Sequence, residues 1–69
     1  MDMKNISSGK LRAIGYDARN RQLQVELDDG TKLLYSGVGQ EVWRRLSGSS
    51  SAWSYYRDSI EEEFTAKRL

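Results

Sequence analysis

Leu23, Val25 and Leu27 alternate with Gln22, Gln24 and Glu26, and Asp28-Asp29-Gly30 follows at once. Period-two alternation marks a strand with one buried and one wet face. An acidic pair ahead of a Gly is hairpin chemistry, because Gly30 can take a positive φ. The chain must therefore supply a second strand after Gly30 and an apolar layer to cover one face of the pair. Thr31–Ser36 answers the first need, with Leu33 and Tyr35 on one face and Lys32 and Leu34 on the other. Upstream, Leu11 to Tyr16 offers Leu11, Ile14 and Tyr16, and Asp17-Ala18-Arg19-Asn20 is a turn in which Asp17 bonds the backbone ahead of it. The short connections make these three strands an antiparallel meander.

The covering layer comes after Tyr35, where the period changes. Ser36-Gly37-Val38-Gly39 breaks the strand, and Gln40 to Ser47 is a short helix with Val42 and Leu46 four apart and Gly48 as its C-cap. Ser51 is the expected N-cap of a second helix. In that helix Trp53, Tyr56, Ile60 and Phe64 fall at spacings of three, four and four, a continuous apolar stripe. The expected architecture is α+β: a three-stranded meander followed by two short helices packed on one face, β-β-β-α-α. Residues 1–9 are expected to be a mobile lead-in, 10–64 a single domain, and 65–69 a loose tail.

At 69 residues the chain needs most of its apolar side chains for its own core. It has no Cys and no His, so it offers no disulfide frame, thiol nucleophile or imidazole base, and no metal or cofactor is expected. Its net charge of +1 excludes a nucleic-acid grip built on bulk charge. No stretch approaches the roughly 20 apolar residues of a membrane span, and no apolar run follows the first charges as in a signal peptide. The expectation is a cytoplasmic protein in a reducing compartment.

One ordered series of residues is more specific. Ser8, Leu11, Ile14-Gly15-Tyr16-Asp17, Leu23-Gln24-Val25, Gly30 and Tyr35 lead into Val38, Val42-Trp43 and Leu46, then Ser51, Tyr55-Tyr56, Ile60 and Phe64. From roughly Ser7 to Phe64 this resembles the KTSC domain, found alone in small bacterial proteins and at the C-terminus of some lysyl-tRNA synthetases. The resemblance implies the fold and, through the association with a synthetase, contact with RNA. Three positions depart from the family: its central Tyr-x-Tyr is Leu33-Leu34-Tyr35, its Pro after the strand-end valine is Gly39, and Trp53 replaces a common Gly.

Several patterns invite chemistry that their spacing does not support. Gly37-Val38-Gly39 opens a helix but lacks the third Gly of a dinucleotide fingerprint, and Glu41 would repel an anion there. Asp28 and Asp29 are hairpin residues, too few for a calcium loop. Glu61-Glu62-Glu63 cannot converge on one ion, since successive helical positions point about 100° apart. No serine has an activating base, so the chain is not expected to be an enzyme.

The cations remain. Arginine outnumbers lysine seven to four, and guanidinium suits phosphate better than ammonium does. Arg44, Arg45 and Arg57, with Tyr55 stacking on a base, form the candidate nucleic-acid site. The bland alternative is that these arginines only offset neighbouring acids and that Tyr55 packs against the other helix. The competing function is a protein-interaction module or small homodimer joining through Leu34 on the open sheet face, or through an exposed strand edge.

Overall fold

The computed structural model describes residues 3–69. Its sheet has five strands in sequence order: β1 (Met3–Ser8), β2 (Leu11–Asp17), β3 (Gln22–Leu27), β4 (Lys32–Ser36) and β5 (Ala66–Arg68), each antiparallel to its neighbour. Helix α1 (Gln40–Gly48) and helix α2 (Ala52–Tyr55) follow β4, and α2 runs on into a π-helical turn over Tyr56–Ile60. The α+β class and the packing of both helices on one face agree with the sequence. The strand count does not.

The expected meander is the inner part of the sheet, β2–β4. Leu23 and Val25 are fully buried, with Tyr35 opposite Leu23 and Leu33 opposite Val25, so the alternation faces the helices. In β2 the inward residues Leu11 and Ile14 are three apart, an odd spacing for a strand. A bulge at Arg12 resolves it: Leu11 pairs with Leu27, and after the extra residue Ala13 pairs with Glu26 and Ile14 with Val25. Both large apolar residues then point inward, while Arg12 makes an ion pair with Glu26 at 3.7 Å.

The turns use the residues that announced them. The Asp17 carboxylate accepts the backbone N–H of Arg19 at 3.0 Å and the Asn20 side-chain amide at 2.8 Å. Gly30, with φ +91°, donates to the Leu27 carbonyl at 3.0 Å.

Met3–Ser8, read from sequence as part of a mobile lead-in, is instead the edge strand β1, with Met3 opposite Gly15 and Asn5 opposite Ala13. The two residues before it lie outside the described range. The tail read as loose holds β5, which covers the free edge of β4 with Ala66 opposite Tyr35. Neither segment carries enough alternating apolar residues to show itself. In β1 only Ile6 packs against the core, and β5 is three residues long.

β1 is held by contacts remote in sequence. The Ser8 hydroxyl accepts the Trp53 backbone N–H at 3.2 Å, so the last residue of β1 caps the N-terminus of α2. Ser51, the expected cap, stands at the N-cap position but makes no side-chain cap bond. Gly9 then lets the turn pass under the Trp53 indole. Its φ is +55°, and a Cβ built there would lie 2.3 Å from Trp53 Cγ. The second helix also ends earlier than its stripe suggests. The N–H of Glu61 reaches back five residues to the Tyr56 carbonyl at 2.9 Å, and the chain turns at residues 61–63 so that β5 can meet β4. Phe64 still packs against the core from that turn. Helix α1 takes in Gly48, and its C-cap is Ser49 in extended conformation.

Gly9→Ala should combine left-handed strain with collision against a half-buried indole, lowering stability by about 1–3 kcal/mol. A thermal melt measures this directly, and a midpoint equal to that of the parent would contradict the docking of the turn on Trp53.

Candidate functional site

The sheet delivers its most polar core residue from β4. Tyr35 is 2% exposed, faces the helices, and its hydroxyl is hydrogen-bonded to that of Tyr56, also 2% exposed, in the π turn. Their rings meet edge to face at 5.9 Å. Trp53 stacks on the Tyr56 ring at 5.6 Å, and the Arg57 guanidinium lies 5.8 Å from the Trp53 centroid. A continuous aromatic column therefore runs from the centre of the sheet to an exposed cation. A second stack, Tyr16 on Trp43 at 5.7 Å, seats α1, and the Tyr16 hydroxyl donates to the Val38 carbonyl at 2.6 Å.

These placements sort the expected site residues. Leu46, fully buried, fixes the inner face of α1 and leaves Arg44 and Arg45 exposed on its outer face. Together with Glu41 they line an open depression. Arg57 is exposed but occupied with Trp53. Tyr55 is half-buried and packs against the core, the bland reading of that residue. Among the described residues no hydrogen bond or ion pair joins Arg57 or Tyr55 to Arg44 and Arg45. The basic side chains thus stand as two separate features, the α1 pair and the Trp53-bound Arg57.

Leu34 is half-buried on the sheet face opposite the helices, between Gln24 on β3 and Lys67 on β5. β4 is an inner strand paired on both sides, so the open edges of the sheet are those of β1 and β5. One cation was not foreseen. The Lys4 ammonium donates to the Ser47 carbonyl at 3.3 Å, a positive charge at the C-terminal end of α1 where the helix dipole favours it. Only the formation of β1 puts it there.

The tyrosine pair has a marked electrostatic signature. Burial pushes both phenols above the ordinary tyrosine value. Desolvation is the main cause in both, and the shared bond couples the two hydroxyls, either of which can be the donor. Both are neutral acids inside an apolar layer at any ordinary pH. Among the described residues no group of three or more His, Cys, Asp or Glu side chains is placed to hold a metal ion, and no helix is long and apolar enough to cross a membrane.

Comparison with known proteins places this arrangement. The model of the KTSC domain matches residues 7–64. The crystal structure of a KTSC domain protein from Yersinia pestis is similar with a TM-score of 0.91 and 23% sequence identity, covering 99% of this chain and 96% of that one. At that identity the likeness speaks for the fold. No curated protein matches.

The raised phenols set an alkaline limit. A folded-state pKa above the unfolded one gives stability that is complete below the unfolded value, near pH 10, and is lost as pH rises beyond it. Each tyrosine should remove roughly 1.4 kcal/mol per pH unit in that range. Phenolate absorbance should show the Tyr35 and Tyr56 signal appearing above the ordinary tyrosine range, together with loss of the fold. Ionisation of Tyr35 and Tyr56 in the ordinary tyrosine range with the fold intact would contradict the buried pair.

Proposed function

The chain belongs to the KTSC family, and from that premise we propose that it is a non-catalytic, cytoplasmic binding module that contacts single-stranded RNA through the outer face of α1. The observation that carries this reading is the adjacent pair Arg44 and Arg45, both exposed beside an open depression. No carboxylate lies within 4.0 Å of either guanidinium among the described residues. Two guanidinium forks offer bidentate hydrogen bonds to phosphate oxygens, and Glu41 in the same depression leaves the local balance at one positive charge. Arg57 supplies a further cation once it leaves the Trp53 face. Tyr55, packed on the core, has less ring surface free for stacking than an exposed aromatic.

The competing reading, self-association through Leu34, has less to support it. That side chain is half-buried between Gln24 and Lys67, and no apolar patch surrounds it.

On a single strand each neutralised phosphate adds about −0.7 to the slope of log affinity against log salt. Contacts from Arg44, Arg45 and Arg57 give about −2, hence weak binding that fades toward physiological salt. Replacing Arg44 and Arg45 together by Gln should flatten the slope by about 1.4 and leave the melting temperature unchanged, since both side chains are exposed. Titrations of tRNA and mixed single strands at two salt concentrations measure this. No binding even at low salt would overturn the reading.

A further inference from the structure

β5 is joined to the fold almost entirely through its backbone. Leu33 lies opposite Arg68, Leu34 opposite Lys67 and Tyr35 opposite Ala66, and the Leu69 N–H donates to the Lys32 carbonyl at 2.9 Å. Of its side chains only Ala66 packs on the core, while Lys67, Arg68 and Leu69 are exposed. Releasing it frees the edge of a strand that carries Leu33, Leu34 and Tyr35. An unpaired edge of that composition recruits another strand.

The connection to β5, Glu61 to Thr65, contains three consecutive exposed glutamates. Their mutual repulsion is relieved when the segment extends. Five residues then span up to roughly 17 Å, several strand spacings, enough to reach the sheet of a second molecule. The segment best matched to the vacated edge is the one that already fits it. Ala66 is small enough to lie against Tyr35, and Arg68 approaches Asp29 in the turn before β4. Asp29 is held below its ordinary pKa chiefly by its bonds to Thr31, and Arg68 adds to that effect.

We infer that β5 is an exchangeable strand, and that two copies of this chain form a dimer in which residues 66–68 of each pair with β4 of the other. The exchange is isologous, so it closes at two subunits. The opposite edge is protected from such growth, because β1 has a bulge between Asn5 and Ser8 and exposes Lys4 along it. The inference does not depend on RNA contact.

The chain has no cysteine, so an engineered pair reports the exchange cleanly. In the full chain carrying Leu33→Cys and Arg68→Cys, two cross-strand neighbours, dilute refolding followed by oxidation should give chains linked to themselves. This also shows that fold and register survive the substitutions. Refolding at millimolar concentration should give covalent dimers whose share rises with concentration, and Glu61→Gln, Glu62→Gln and Glu63→Gln together should reduce that share. A control carrying Leu33→Cys with Ser54→Cys, which are not cross-strand neighbours, should give none. Three results would overturn the inference: intrachain bonds alone at every concentration, an equal dimer share from the control, or dimers by sedimentation whose chains are each linked internally.

Discussion

Two phenol hydroxyls meet inside this core, and the covering layer depends on their meeting. Tyr35 comes from β4 and Tyr56 from the π turn, 21 residues later, and neither has water to turn to. A buried hydroxyl without a partner costs about 1–3 kcal/mol, a large share of what a domain of this size has. The bond therefore sets where the second helix sits on the sheet. From it the contacts close a loop: Tyr56 stacks on Trp53, the Trp53 N–H is capped by Ser8, Gly9 passes beneath the indole, and β1 returns to the sheet through β2. The π turn belongs to the same arrangement. It adds one residue to the helical turn while keeping both Tyr56 and Ile60 buried.

What was legible in the sequence follows from the range of the forces involved. The alternation at Leu23, Val25 and Leu27, the Asp-Asp-Gly turn and the helical stripe are local patterns; the first two produced their elements, and the stripe produced a helix that stops at Ile60, short of Phe64. β1 and β5 are edge strands, one side of each open to water, so neither needs a regular apolar face. Their pairing is dictated by β2 and β4, already in place. The bulge at Arg12 was foreshadowed by the odd spacing of Leu11 and Ile14, but only the partner strand shows which residue is extra. Capping from Ser8 rather than Ser51 is a contact across 45 positions, beyond any local rule. In the candidate site, exposure of Arg44 and Arg45 followed from helical periodicity once Leu46 was inward. The half-burial of Tyr55 and the engagement of Arg57 with Trp53 depend on how two helices lie together.

The departure at Trp53 gains a meaning from this geometry. Where the resemblance implies a Gly, this chain places an indole that bridges the tyrosine pair and Arg57 and rests on the Gly9 turn. Where the resemblance implies the first of two tyrosines, this chain has Leu33, which packs at the edge of the core, whereas Tyr35 holds the buried bond. In this chain, then, the surviving tyrosine is part of the framework. Arg44 and Arg45 stand outside that framework, exposed on the outer face of α1.

A double-mutant cycle on that bond tests the account most directly. Tyr35→Phe and Tyr56→Phe each strand one buried hydroxyl, whereas the double variant removes both and leaves an apolar contact of nearly the same shape. In denaturant melts each single variant should lose about 1–3 kcal/mol, and the double should lose clearly less than their sum. Losses that simply add, or single variants as stable as the parent, would show that the phenol pair does not set the seat of the helix on the sheet.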